Sequence, residues 1–291
     1  MVKISTQDEN KLVITGQKED VDESGEIIEI LLSIIREGYP LSKSQVKYYI
    51  EMAKNKQPLN WKSIYQDIIT VFKKEKEVRP KTLGQKKLID AVKKNEIVFV
   101  IGPAGTGKTY LAVALSLSAL KNNEVSRIIL VRPAVEAGES LGYLPGDLLE
   151  KIEPYFRPLY DAMYDMIPPE KFHKFMESGI IEIAPLAYMR GRTLNDSFII
   201  LDDAQNTTLG QMRMFLTRFG FGSKIIVNGD ITQIDLPKRE QSGLIRIAKI
   251  LQNIEGIEFV YLNDQDVVRH RLVQEIIRAY EREDLKNSET E

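Results

Sequence analysis

The run "IVFVIGPAGTGKTYLAVALSLSAL", residues 97–120, constrains this chain more than any other stretch. The apolar segment Ile97–Ile101 predicts a buried strand. Gly102, Pro103, Ala104, Gly105, Thr106, Gly107, Lys108 and Thr109 follow it, and then a helix. This is G-x-x-x-x-G-K-[ST] in its required strand–loop–helix setting. The glycines let consecutive backbone N–H groups turn inward, where they and the helix N-terminus can hold phosphates. Lys108 is the expected contact to the β- and γ-phosphates, and the Thr109 hydroxyl the expected Mg²⁺ ligand. Tyr110 completes the candidate nucleotide-binding set. The implied ligands are a nucleoside triphosphate and Mg²⁺.

A second stretch, "SFIILDDAQNTT", residues 197–208, sets two acids at the end of another apolar run, Phe198–Leu201. In P-loop proteins a carboxylate at the tip of a neighbouring strand holds Mg²⁺ against the threonine. Asp202 fits that role. Asp203 is placed to orient or deprotonate the attacking water.

Further short apolar runs at Arg127–Val131, Ile180–Ile183, Lys224–Val227 and Glu258–Leu262 alternate with helix-like segments. That alternation predicts βαβ units and a mainly parallel sheet, with functional residues beyond the strands' C-terminal ends. Residues 1–80 have a different character and read as a small α+β domain with its linker; residues 81–291 read as the P-loop domain. In the first part, Lys11–Thr15 predicts a strand and Asp22–Arg36 an amphipathic helix. Ser42–Lys54 predicts a second helix with Ser42 as its N-cap. Val71–Thr82 predicts an exposed strand or hairpin leading into a linker.

With 43% hydrophobic residues the chain can bury a substantial core. Its net charge of −2 means that nucleic-acid binding would need a local basic surface. The absence of cysteine excludes disulfides and thiolate metal sites. His173 and His270 are too few for a His-rich metal site. Met1–Gly16 lacks the apolar core of a signal peptide, and Tyr110–Leu120 is far shorter than the ~20 residues that cross a bilayer. A cytoplasmic protein is expected.

The stretches "PKTLGQKKLIDAV", "GPAGTGKTYLAVA", "ILVRPAVEAGESLGYLPGD", "LAYMRGRTLNDSFIILDDAQNTT", "IIVNGDITQIDLP" and "DVVRHRLVQEIIRAYE" together resemble the PhoH family of P-loop ATPases, in its PhoH-like (YbeZ-type) branch. The resemblance runs from about Pro80 to Glu281, and "RPAVEAGESLGYLPGD" is its most specific part. It implies a RecA-like nucleotide core similar to the first such domain of superfamily 1 helicases, preceded by a small KH-like domain. It also implies roles. Gln85 would read the adenine edge, Gln233 in "NGDITQ" would sense the γ-phosphate, and Arg132 would contact nucleic-acid phosphate. Arg190, Arg192 and the basic stretch Lys73–Lys81 are further candidate contacts to single-stranded RNA.

The chain departs from the family pattern at two positions. Asp203 stands where glutamate is usual, one methylene shorter, and Arg271 stands where proline is common. No nuclease domain of the kind found in another branch is expected.

The function these features imply is ATP hydrolysis in RNA metabolism, alongside a YbeY-type endoribonuclease in ribosomal RNA maturation. The alternative is a regulatory ATP-binding scaffold with negligible turnover. A small-molecule kinase is disfavoured, because "GDITQ" and "RPAVEAG" suit a motor core. With a single RecA-like core, an arginine finger would come from a neighbouring subunit. That predicts a homo-oligomer, a six-membered ring, with Arg269 as the finger.

Overall fold

The computed structural model describes residues 2–7, 11–39, 41–55, 62, 64, 67–133, 148–238, 242–268, 272–273, 275–276 and 279–280, with only the backbone of residues 44 and 148–153. The chain divides into two units. One comprises Met1–Ile68 with Arg79–Thr82, the other Ile69–Val78 with Leu83–Glu291.

In the first unit, β1 (Lys3–Thr6) pairs antiparallel with β2 (Leu12–Thr15). Helices α1 (Lys18–Arg36) and α2 (Lys43–Lys54) follow. Ile27 and Ile34, two turns apart on one face of α1, are buried. That helix begins a turn earlier than its apolar stripe. Its first turn is polar and carries Glu19 and Asp20, which suit the positive end of the helix dipole but leave no hydrophobic periodicity to read. Helix α2 starts at the expected cap. The Ser42 side chain accepts from the Gln45 N–H, and the Gln45 side chain accepts from the Ser42 N–H.

The second unit is built on a six-stranded sheet. Its strands are β5 (Ile97–Ile101), β6 (Arg127–Arg132), β7 (Ile181–Pro185), β8 (Ser197–Leu201), β9 (Lys224–Gly229) and β10 (Ile257–Tyr261). Their order is β10-β5-β9-β8-β6-β7, and every pairing is parallel. The helices are α3 (Leu83–Lys94), α4 (Lys108–Lys121), α5 (Leu148–Met166), α6 (Pro169–Glu177), α7 (Leu209–Leu216) and α8 (Gly243–Ile250).

Alternate strand residues enter two separate cores. Val98, Val100, Phe198 and Ile200 pack with α3, α4, α5 and α6, while Phe99, Ile101, Ile199 and Leu201 pack with α7 and α8. Burial on both faces is why these strands read as unbroken apolar runs. Phe99 stacks on Phe259 with centroids 4.5 Å apart. Among the described residues no helix is long and apolar enough to cross a membrane.

The stretch expected to be an exposed strand or hairpin forms a short hairpin, β3 (Ile69–Thr70) with β4 (Glu77–Val78), whose apolar anchors are buried rather than exposed. Ile69, Val71 and Val78 are buried in the second unit's core. The Val71 carbonyl accepts from Lys121 Nζ at 2.9 Å, and the Lys73 N–H donates to the Met166 carbonyl at 2.9 Å. Its lysines crowd the turn and obscure the few apolar anchors.

Phe99 is fully enclosed between strands and helices. Phe99→Ala is expected to lower the unfolding free energy by about 3–5 kcal/mol, checked as a fall in the melting transition by calorimetry.

Candidate nucleotide site

Parallel strands end on one edge of a sheet, so β5, β6, β8 and β9 bring their C-terminal residues together. The loop Gly102–Gly107 leaves β5, and Gly107 caps α4. Gly105 and Gly107 have φ of 86° and 83°, a left-handed backbone that glycine adopts without steric cost. A Cβ on Gly102 would lie 2.7 Å from Leu262 Cβ and 2.8 Å from its carbonyl oxygen, so the loop can hug the end of β10 only as glycine. Lys108 Nζ donates to the carbonyls of Gly102 at 2.6 Å and Pro103 at 2.9 Å, which holds the ammonium across the loop. Thr106 Oγ1 donates to the Pro103 carbonyl. Gln85, buried on α3, donates from Nε2 to the Thr106 carbonyl at 3.0 Å.

The two sequence stretches meet at one hydrogen bond. Thr109 Oγ1 donates to Asp202 Oδ1 at 2.8 Å. The same oxygen accepts from Asn228 Nδ2 at 3.3 Å, and Asn228 Oδ1 has no partner among the described residues. Asn228 escaped the sequence reading. Its signal is an amide directly after the apolar run Lys224–Val227, where β9 passes between β5 and β8.

Asp203 has φ 52°, the left-handed region that aspartate enters more readily than most residues. Its carboxylate is ion-paired with Arg132 Nη2 at the end of β6, and Arg132 Nη1 donates to the Tyr155 carbonyl of α5. Burial pushes the Arg132 guanidinium below its ordinary value, opposed by the carboxylates of Asp202 and Asp235.

Beyond β9, Asp230 Oδ1 accepts from the Thr232 N–H at 2.9 Å and hydroxyl at 2.6 Å, and Asp230 Oδ2 accepts from Gln233 Nε2 at 2.6 Å. Gln205, in the turn after Asp203, ties the strand tips together. Its Oε1 accepts from the Asp230 N–H at 3.0 Å, and its Nε2 donates to Asp203 Oδ1 at 3.4 Å. Asn206 exchanges two hydrogen bonds with Asp235, at 2.8 and 3.0 Å. Gln205 and Asn206 are buried. Neither was singled out from the sequence, since spacing alone does not show that the turn lies under a second loop.

The remaining expected residues stand apart from this group. Arg190 and Arg192 lie between β7 and β8. Arg192 makes a bidentate pair with Glu182 at 2.5 and 2.7 Å, which raises the guanidinium's pKa. Tyr110 points its hydroxyl at Asp165 Oδ2, 2.7 Å away, and Lys76 Nζ sits 2.6 Å from the same oxygen. Arg269 lies outside the described residues.

Among the described residues no group of three or more His, Cys, Asp or Glu could hold a metal ion. One hydroxyl and one buried carboxylate within 2.8 Å of each other nonetheless fit Mg²⁺, which takes one or two protein oxygens and completes its shell with water and phosphate.

The family profile described as PhoH-like protein matches residues 77–281. The chain belongs to the PhoH-like family of P-loop ATPases. A PhoH-like protein of Bacillus subtilis (strain 168) is 53% identical over 272 residues, covering 94% of this chain and 85% of the relative. A PhoH-like protein of Mycobacterium tuberculosis (strain ATCC 25618 / H37Rv) is 54% identical over 276 residues, covering 94% and 77%. Protein PhoH of Escherichia coli (strain K12) is 44% identical over 194 residues, covering 66% and 55%. Residues 17–134 also match the profile described as IstB-like ATP binding protein. These matches support nucleotide binding by this PhoH-like chain.

The cluster at Tyr110 generates a pH prediction. The hydrogen bond from Lys76 holds the Asp165 carboxyl below its usual range, against the opposing effect of burial and with help from Tyr110. A carboxylate depressed in the folded state contributes stability that is complete above its unfolded value, about 3.9, and is lost as pH falls through the lower folded value. Lys76→Met is expected to flatten this acid limb. Both partners are partly exposed, so the loss at neutral pH should stay below about 1 kcal/mol. Melting temperatures measured between about pH 3 and 7 check both points.

Proposed function

We propose that this protein is a Mg²⁺-dependent ATPase of RNA metabolism. The observation that carries the reading is the hydrogen bond from Thr109 to Asp202, which joins the phosphate loop to the tip of β8. Lys108 and the loop N–H groups hold the β- and γ-phosphates, and Gln85 faces the base. Thr109 and Asp202 hold Mg²⁺, which when bound offsets charge on the phosphate oxygens. Asn228 orients Asp202. Asp203 orients a water molecule and takes its proton as the water oxygen bonds to the γ-phosphorus. The bridging bond to the β-phosphate breaks, and its electron pair leaves with ADP. Gln233, tethered to Asp230, reports the loss of the γ-phosphate to the loop after β9.

The RNA part of the reading rests on the resemblance to superfamily 1 helicases and on local basic residues. Arg190 and the stretch Lys73–Lys81 are the contacts in this reading besides Arg132 and Arg192; Arg132, Arg192 and Lys76 each meet a carboxylate that RNA phosphate would have to replace. The small first domain is read as KH-like, and a YbeY-type endoribonuclease as the partner in ribosomal RNA maturation, in the cytoplasm. The proposed assembly is a six-membered homo-oligomeric ring, with Arg269 reaching a neighbour's nucleotide. The second reading, a regulatory ATP-binding scaffold, is favoured by one observation: Asp203 is occupied by Arg132.

Steady-state ATP turnover, with and without single-stranded RNA, separates the two readings. Lys108→Ala should abolish turnover and weaken ATP binding while the protein still folds cooperatively, with only a modest fall in melting temperature from the two lost hydrogen bonds to the loop. Asp202→Ala should abolish Mg²⁺-dependent hydrolysis, whereas Asp203→Ala should keep nucleotide binding and lower kcat by ~10²-fold or more. Normal turnover in the Lys108→Ala protein would reject the site. RNA affinity should fall steeply with salt, as phosphate contacts require; salt-independent affinity would reject the RNA contacts.

A further inference from the structure

Arg132 is the one arginine among the described residues that pairs with the acids at the strand tips. In register, Val131 of β6 lies beside Leu201 of β8, and the Asp202 N–H donates to the Val131 carbonyl at 2.9 Å. Arg132 therefore leaves its strand next to Asp202, which itself holds Thr109 of the phosphate loop. Only 18% of its side chain is exposed. Desolvating a guanidinium is costly, and a position with no role beyond packing would favour an apolar side chain.

Its two amino groups are bound unequally. Nη1 is fixed to a backbone carbonyl, that of Tyr155, whereas Nη2 pairs with Asp203, a partly exposed side chain that can swing away. The guanidinium can thus change its second partner without leaving its anchor. An adjacent guanidinium lowers a carboxylate's basicity, so Asp203 is a weaker base toward water while the pair is closed than once it opens.

We propose that Arg132 and Asp203 exchange partners when nucleotide binds: Nη2 passes from Asp203 to an oxygen of the γ-phosphoryl group, and Asp203 is released to the attacking water. Arg132 then supplies, from the same chain, a cation against the charge that grows on those oxygens during transfer. The inference rests on the ATPase reading of this site. The buried setting of Arg132 beside Asp202 favours a phosphate of the nucleotide over one of an RNA strand, which would have to reach a largely covered guanidinium.

The test compares binding of ADP with binding of ADP–aluminium fluoride, both with MgCl₂, alongside ATP turnover without RNA. Wild type should bind the fluoride complex much more tightly than ADP. If it does not, the ATPase reading itself fails and this inference with it. Arg132→Gln should leave ADP affinity within about twofold, weaken the fluoride complex by ~10-fold or more, and lower kcat by ~10²-fold with little change in KM. Arg132→Lys should recover part of the loss, since it keeps the charge and loses the fork. Asp203→Asn, which removes the resting partner, should bind the fluoride complex at least as tightly as wild type although it turns over slowly. A structural role would instead weaken both ligands equally, and that result overturns the exchange. So does an unchanged ratio of the two affinities in Arg132→Gln. Faster RNA-free turnover in that variant would also overturn it, because Arg132 would then be only a brake on Asp203.

Discussion

The site depends on the parallel run of the sheet. Parallel neighbours finish on the same edge, so residues far apart in sequence converge there without any loop having to carry them. Thr109 and Asp202 are 93 positions apart and lie within 2.8 Å because β5 and β8 flank β9. Gly229, at the end of β9, also takes part: its carbonyl accepts from the Gly102 N–H at 3.1 Å, and a Cβ on it would lie 2.1 Å from a methyl of Leu244. The central strand is thus a spacer whose tip is shaped by its neighbours.

That arrangement buries polar groups, and burial makes satisfaction obligatory. Asp202, Gln205, Asn206, Asn228 and Asp230 are all buried. Each accepts or donates across two strand tips, so the loops after β8 and β9 behave as one layer. Ser242 extends the layer to α8, donating to the Gln205 carbonyl at 2.7 Å. The exception, Asn228 Oδ1, stands beside the Asp202 carboxylate. An unmet acceptor in that position is tolerable where water or a ligand's own hydration shell completes the site.

On the opposite side of the loop, the segment after β10 grips the same machinery. Asp266 accepts from the Gly84 N–H at 3.2 Å, one residue before Gln85, and the Val268 N–H donates to the Gly105 carbonyl at 3.0 Å. Gln85 and the phosphate loop therefore share one support. Carboxylate, amide and backbone contacts hold the loop from both flanks. Such preorganisation is what makes backbone donors effective toward developing charge.

Much of this was legible in the sequence. The apolar runs located all six strands to within two residues; β5, β6, β8 and β9, buried on both faces, need continuous hydrophobicity, while β10 at the sheet edge is buried only at Val260. The G-x-x-x-x-G-K-T spacing located the phosphate loop, because few residue types allow that backbone. The pair Asp202–Asp203 could be placed at a strand end by composition alone. The burial of the hairpin Ile69–Val78 was not legible, since its three apolar anchors are scattered among lysines and glutamates. Asn228, Gln205 and Asn206 were passed over, since an amide in a turn carries no mark of what lies above it. Arg132 showed only its charge and its strand end. Local pattern thus determined the elements, the loop and the acids. The tertiary fold alone decided that Arg132 meets Asp203 and that Asn228 meets Asp202, because those contacts depend on strand order, which no local pattern encodes.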